Sequence, residues 1–88
     1  MGAYIVAFES THAAMAADAA LASEPHALIP TPRAIAAGCG MALLFEAEDD
    51  ARARRAVEAA RIPPDLFGLY REERHGGAPG AKGYRAVP

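Results

Sequence analysis

Four short apolar runs set the terms on which this chain can fold: Tyr4-Ile5-Val6-Ala7-Phe8, Ala27-Leu28-Ile29, Met41-Ala42-Leu43-Leu44-Phe45 and Leu66-Phe67-Gly68-Leu69-Tyr70. Each has strand length and is bounded by polar or turn-forming residues, as expected of buried strands. The segments between them differ in kind. Thr11 to Ser23 is rich in alanine, the strongest helix former, and Ser10 or Thr11 can cap its first N–H groups while Pro25 closes it. Helical spacing puts Ala14, Ala17 and Leu21 along one face and turns Asp18 away. A second helix follows Glu46-Ala47-Glu48-Asp49-Asp50, whose acids complement the positive end of its dipole, with Arg54, Arg55 and Arg61 toward the negative end. Ala53, Val57 and Ala60 form its inward stripe, Arg52, Arg55 and Glu58 face solvent, and Ile62-Pro63-Pro64 ends it.

The order strand, helix, strand, strand, helix, strand predicts an α+β fold of the ferredoxin-like, split βαβ plan: an antiparallel four-stranded sheet with two helices on one face. Residues 1–73 then form one small domain. From Arg74 onward the sequence, with its Gly-Gly-Ala-Pro-Gly-Ala-Lys-Gly core, offers little to bury, so residues 74–88 are expected to be a disordered basic tail. One pattern strains this plan. Strands with a solvated face alternate apolar and polar residues, yet Tyr4–Phe8 and Met41–Phe45 are apolar on both faces. Either a second copy or a partner covers the open face, or small residues and a tyrosine are simply tolerated there.

The connection between the second and third strands is the least interchangeable stretch: Pro30-Thr31-Pro32-Arg33-Ala34-Ile35-Ala36-Ala37-Gly38-Cys39-Gly40. A hairpin needs only two to five residues there by the usual rules, so this one is oversized, and long loops on economical scaffolds often carry function. Two prolines fix backbone angles and remove donors at its start, and two glycines flank the only thiol at its end. Arg33 to Ala37 can form one helical turn.

Composition narrows the function. Nine Lys and Arg against eleven Asp and Glu give a formal charge of −2, which argues against a general phosphate-backbone binder. Arg74, Lys82 and Arg85 fall in the last fifteen residues with no acid among them, so the expected fold is acidic and the tail basic. A single Cys makes no intrachain disulfide, the N-terminal residues lack the basic region of a signal peptide, and no apolar run is long enough to span a bilayer. A reducing cytoplasm is the expected compartment. No phosphate loop, Ser-His-Asp set or zinc-ligand spacing is present, so no cofactor or metal is expected.

Cys39 is therefore the principal candidate residue. Between Gly38 and Gly40 it reads as a thiol that a large partner can reach; the competing reading is a buried small residue. Arg33 is placed to supply positive charge that favours the thiolate, or else is a surface charge or a partner of an acid such as Glu9. A helical turn ending before Gly38 would oppose activation, because the carboxyl end of a helix disfavours an anion. His12, near the first helix start, is a candidate proton shuttle at the same sheet end, or an exposed surface residue.

Phe8-Glu9-Ser10-Thr11-His12 before an alanine-rich helix, then Ile29-Pro30-Thr31-Pro32-Arg33-Ala34-Ile35 and Gly38-Cys39-Gly40-Met41-Ala42-Leu43, resembles a family of small selenium/sulfur carrier-like proteins over about residues 3–71. Ala36-Ala37-Gly38 stands where that family commonly has polar residues before its Cys, so a hydroxyl bond to the sulfur is missing here. The resemblance implies a carrier, rather than a free-standing enzyme, with Cys39 holding sulfur or selenium as a persulfide or perselenide. Its implied partners are a donor such as a cysteine desulfurase and an acceptor protein. The alternative is a ferredoxin-like regulatory or interaction module, dimerising through the open sheet face, with a structural or redox-sensing Cys39.

Overall fold

The computed structural model describes residues 1–22, 24–35, 38, 40–74 and 82–88. Strand β1 (Gly2–Phe8) leads into helix α1 (Thr11–Ala20), strand β2 (His26–Pro30), strand β3 (Met41–Ala47), helix α2 (Asp50–Ala59), a single 3-10 turn at Pro64–Leu66, strand β4 (Phe67–Arg74) and strand β5 (Lys82–Ala86). The fold is α+β, and the strands form one antiparallel sheet in the order β2-β3-β1-β4-β5.

Both helices begin where capping chemistry places them. The Ser10 hydroxyl accepts from the Ala13 N–H at 3.1 Å, and the Asp49 carboxylate accepts from the Arg52 N–H at 2.9 Å. Both pack on the same face of the sheet. Ala13, Ala14, Ala17 and Leu21 from the first helix and Ala53 and Val57 from the second meet Tyr4, Val6, Phe8, Leu43, Phe45 and Leu69 in one core. The inward stripes expected from spacing are found, with Ala60 only partly buried. Asp18 is not turned fully to solvent: its carboxylate meets His26 at 2.7 Å.

The sheet has five strands, one more than the four expected. The apolar run ends at Tyr70 and predicts a tail over residues 74–88; in the structure β4 runs on to Arg74 and pairs with β5, Glu72 opposite Tyr84 and Arg71 opposite Arg85. Lys82-Gly83-Tyr84-Arg85-Ala86 has a glycine and two cations, so it lacks the apolar run by which the other strands announce themselves. Charge and backbone bonds hold it. Arg85 meets Glu73 at 3.0 Å and Asp50 at 3.0 Å, the Val87 N–H donates to the Leu69 carbonyl at 2.8 Å, and Arg54 donates to the main-chain oxygens of Val87 and Pro88 at 2.7 and 2.9 Å. Arg85, which the sequence assigns to a basic tail, thus takes acids of the folded part as its partners. Residues 75–81, which the sequence reading also assigned to the tail, lie outside the described residues.

The second apolar face of β1 and β3 also has its explanation within the chain. On the side away from the helices, Ile5, Ala7 and Ala42 are buried beneath Ile35, itself 5% exposed, with Ile29, Leu44, Tyr70 and Tyr84 around them. Ile35 comes from the long β2–β3 connection. The Thr31 N–H donates to the Gly40 carbonyl at 2.9 Å, extending the ladder by one pair, and the chain then turns with the Ile35 N–H donating to the Pro32 carbonyl at 3.0 Å. That turn lays Ile35 across the sheet. The connection is therefore a cover as well as a loop, and it closes part of the face for which a second copy or partner had been considered. On the same face the Tyr70 ring lies across Gly68, where an added Cβ would come within 2.9 Å of it.

Truncating that cover, Ile35→Ala, is expected to cost about 2–4 kcal/mol of stability, the range for deleting a buried aliphatic side chain. Urea unfolding monitored by circular dichroism measures it. A loss within about 0.5 kcal/mol, typical of a surface change, would show that the side chain is not part of the core.

Candidate functional site

The described residues around position 39 gather at the end of the sheet where β1 finishes. The Glu9 N–H donates to the Leu66 carbonyl at 2.9 Å, so the backbone just after Phe8 is fixed as a ladder rung between β1 and the start of β4. Gly38 packs directly on this rung. A Cβ built on Gly38 would stand 2.7 Å from the Glu9 carbonyl oxygen and 3.3 Å from one of its carboxylate oxygens. The first contact is with fixed backbone, so only glycine allows the loop to approach this closely. Gly40, by contrast, has open space where a side chain would go, and its carbonyl is held by Thr31. Both glycines are exposed. Cys39 itself lies outside the described residues, as do Ala36 and Ala37.

The other expected site residues are placed as follows. Arg33 is exposed on the Pro32–Ile35 turn, one residue from Ala34 and two from the buried Ile35, and it forms no ion pair among the described residues, with Glu9 or any other acid. His12 is exposed in the first turn of α1, two residues past the Ser10 cap. The structure thus brings Gly38 to the residue that precedes the helix cap. The helical turn considered for residues 33–37 is, over its described part, a single i to i+3 turn from Pro32 to Ile35.

Glu9 and Ile35 complete the neighbourhood, and neither stood out in the sequence as a site residue. Ile35 had a signal: it is the only large aliphatic residue between Thr31 and Gly40, and such a residue in a long connection is seldom left in water. Glu9 had none, since its role follows from the approach of Gly38. Among the described residues no group of three His, Cys, Asp or Glu could hold a metal.

Two further polar clusters lie elsewhere. His26, at the start of β2, has acceptors at both ring nitrogens: the Glu24 carbonyl at 2.7 Å from Nδ1 and the Asp18 carboxylate at 2.7 Å from Nε2. With both nitrogens at acceptors, the doubly protonated ring is favoured. The Glu24 carbonyl foremost, then the Asp18 carboxylate, hold its pKa above the ordinary value. On the helix side, the Tyr4 hydroxyl donates to Asp50 at 2.7 Å, and the bond from Arg85 foremost holds the Asp50 carboxyl below the usual carboxylate range. These clusters fasten elements together: α1 to β2 in the first case, α2 to β1 and β5 in the second.

Compared with models of protein families, the chain matches the family described as "Putative Se/S carrier protein-like" over residues 3–67. Searches of curated proteins and of solved structures find no match. No helix among the described residues is long and apolar enough to cross a membrane.

Two outcomes follow from these contacts. Gly38→Ala, which forces the loop off the Glu9 backbone, is expected to lower stability by about 1–3 kcal/mol, as overpacking does, and to change the alkylation rate of Cys39. An unchanged unfolding midpoint together with unchanged thiol reactivity would contradict the close approach. For His26 the folded pKa is raised, so its stabilisation is fully present below the unfolded value of about 6.5 and is lost as pH rises through the folded value. The stability advantage of the native chain over His26→Gln should therefore be larger at about pH 5.5 than at about pH 9, measured by urea unfolding at each pH; an equal advantage at both would refute the pairing. The match of residues 3–67 covers well over half the chain, so the protein belongs to the Se/S carrier protein-like family.

Proposed function

We propose that this protein is a sulfur or selenium carrier whose working group is the Cys39 thiol. The observation that carries the reading is the family match over residues 3–67, which encloses the Gly38-Cys39-Gly40 segment, joined to the exposure of both flanking glycines. A thiol carried between two exposed residues without side chains suits docking of a large donor, whose own sulfur must approach in line.

In the proposed step, the Cys39 thiolate attacks the outer sulfur of a donor persulfide. The new S–S bond forms as the donor's S–S bond breaks, the donor sulfur leaves as a thiolate and takes up the proton that Cys39 released, and Cys39 holds the transferred sulfur as a persulfide. No external oxidant or reductant is consumed. Selenium would follow the same course to a perselenide. Arg33, exposed on the same connection, is proposed to favour the thiolate, and His12, at the neighbouring helix start, to relay its proton. The donor is proposed to be a protein of the cysteine desulfurase class and the recipient a second protein, in a reducing compartment such as the cytoplasm. The first four strands and two helices are inferred to be a split βαβ, ferredoxin-like unit extended by β5.

The test is intact-protein mass spectrometry after incubation with a cysteine desulfurase and cysteine. The expected result is a gain of one sulfur atom that thiol reductants remove and that Cys39→Ser abolishes. A competent desulfurase that adds nothing, or adds the same mass to Cys39→Ser, overturns the carrier reading.

A further inference from the structure

The two edges of the sheet are not alike. The outer strand β5 carries the exposed Arg85, the kind of residue that discourages strand pairing at an edge. The opposite edge, β2, reads His26-Ala27-Leu28-Ile29-Pro30, has no Lys, Arg, Asp or Glu, and leaves Leu28 46% exposed. Among the described residues its only strand neighbour is β3.

Which backbone groups of β2 face outward follows from the register. In an antiparallel pair, opposed residues alternate between those that exchange hydrogen bonds and those that do not. Thr31 is opposed to Gly40 one step beyond the Pro30–Met41 pair, and the Thr31 N–H donates to the Gly40 carbonyl. Thr31 therefore turns its backbone toward β3, and so do Ile29 and Ala27. Pro30, Leu28 and His26 turn theirs outward. The same alternation carried across the sheet puts Glu9 toward β4 and Leu69 toward β5, where the Glu9–Leu66 and Val87–Leu69 bonds are found. Pro30, which has no N–H to give, thus stands at an outward position where the missing donor leaves the internal ladder intact.

We infer that the β2 edge is an interaction surface for a second copy of this chain, paired antiparallel through Leu28 into a continuous sheet. The self-complementarity of the edge carries the choice of occupant. With Leu28 opposite the partner's Leu28, the two strands overlap along their whole length. Leu28 N–H groups and carbonyls exchange bonds in both directions, and each His26 N–H meets the partner's Pro30 carbonyl, so every outward donor of the strand is used. The two exposed Leu28 side chains fall together on the helix side, and Ala27 falls opposite the partner's Ile29 on the other. The charge at the pairing is that of the His26 ring, which keeps its Asp18 partner on the helix side. The pairing is isologous and closes at two copies, whereas a β2 edge on a β5 edge would propagate without end. The two Pro30 residues would stand about 14 Å apart along the joined strands, so the Cys39-bearing connections leave in opposite directions and both remain free for a donor.

The test is amide hydrogen exchange by NMR on the full chain across a range of protein concentrations, with sedimentation velocity in parallel. Ala27 and Ile29 amides are expected to be protected at every concentration. Those of His26 and Leu28 should become protected only as dimer forms. Leu28→Lys, which places like charges opposite each other, should raise the dimer dissociation constant about tenfold or more while Ala27 and Ile29 stay protected, showing the fold intact. A chain that stays monomeric throughout overturns the inference. So does a dimer in which the His26 and Leu28 amides still exchange freely, or assembly into open-ended oligomers. The readout involves no sulfur chemistry, so its failure leaves the carrier reading to be decided by the persulfide assay.

Discussion

Five consecutive residues, Tyr4 to Phe8, are each no more than 3% exposed, and the rest of the molecule is arranged to make that possible. A strand turns alternate side chains to opposite faces, so burying all five requires cover on both sides of the sheet and a neighbour on each edge. The helices supply one cover and Ile35 a large part of the other; β3 and β4 supply the neighbours. Tyr4 brings a hydroxyl into this setting. Its ring stacks against Phe45 with centroids 5.9 Å apart and lies under the Arg71 guanidinium, while its hydroxyl reaches Asp50 at the first position of α2. Burial foremost, with the bond to Asp50, raises the Tyr4 pKa, so the phenol stays a donor. One aspartate then serves a tyrosine of the central strand and an arginine of the edge strand, and so ties the middle of the sheet to its last strand.

Much of this was legible in the sequence, because hydrophobic periodicity and capping chemistry act locally. The apolar runs at residues 4–8 and 41–45 became strands, Ser10 and the acids before Arg52 capped the helices, and Ala14, Ala17, Ala53 and Val57 turned inward. The fifth strand was hidden because what holds it is not local. Arg85 depends on Asp50 and Glu73, which the chain brings together only after folding. The role of Ile35 was half visible: the sequence showed a sheet face in need of cover and, separately, a loop too long for a hairpin, without showing that one answers the other. The closeness of Gly38 to Glu9 is set by the same folded geometry.

This has a bearing on the site. The connection that bears Cys39 is bound at three described points: a ladder bond at Thr31, a buried side chain at Ile35 and a backbone contact at Gly38. Packing and presentation are therefore carried by one segment. These anchors lie apart, with Ile35 over the face of the sheet and Gly38 against the end of β1.

The central place of β1 has a consequence for how the chain is made. Strand β1 is paired with β3 on one side, Tyr4 opposite Phe45, and with β4 on the other, Tyr4 opposite Arg71. β1 thus precedes both of its sheet neighbours in the chain, and the second of them, β4, begins only at Phe67. Until residues near position 70 have emerged, an apolar strand with an unfilled edge must be kept from pairing with other chains. This topology makes β1 dependent on a strand far downstream of it, and cellular factors that shelter nascent chains would have the most to do during that interval.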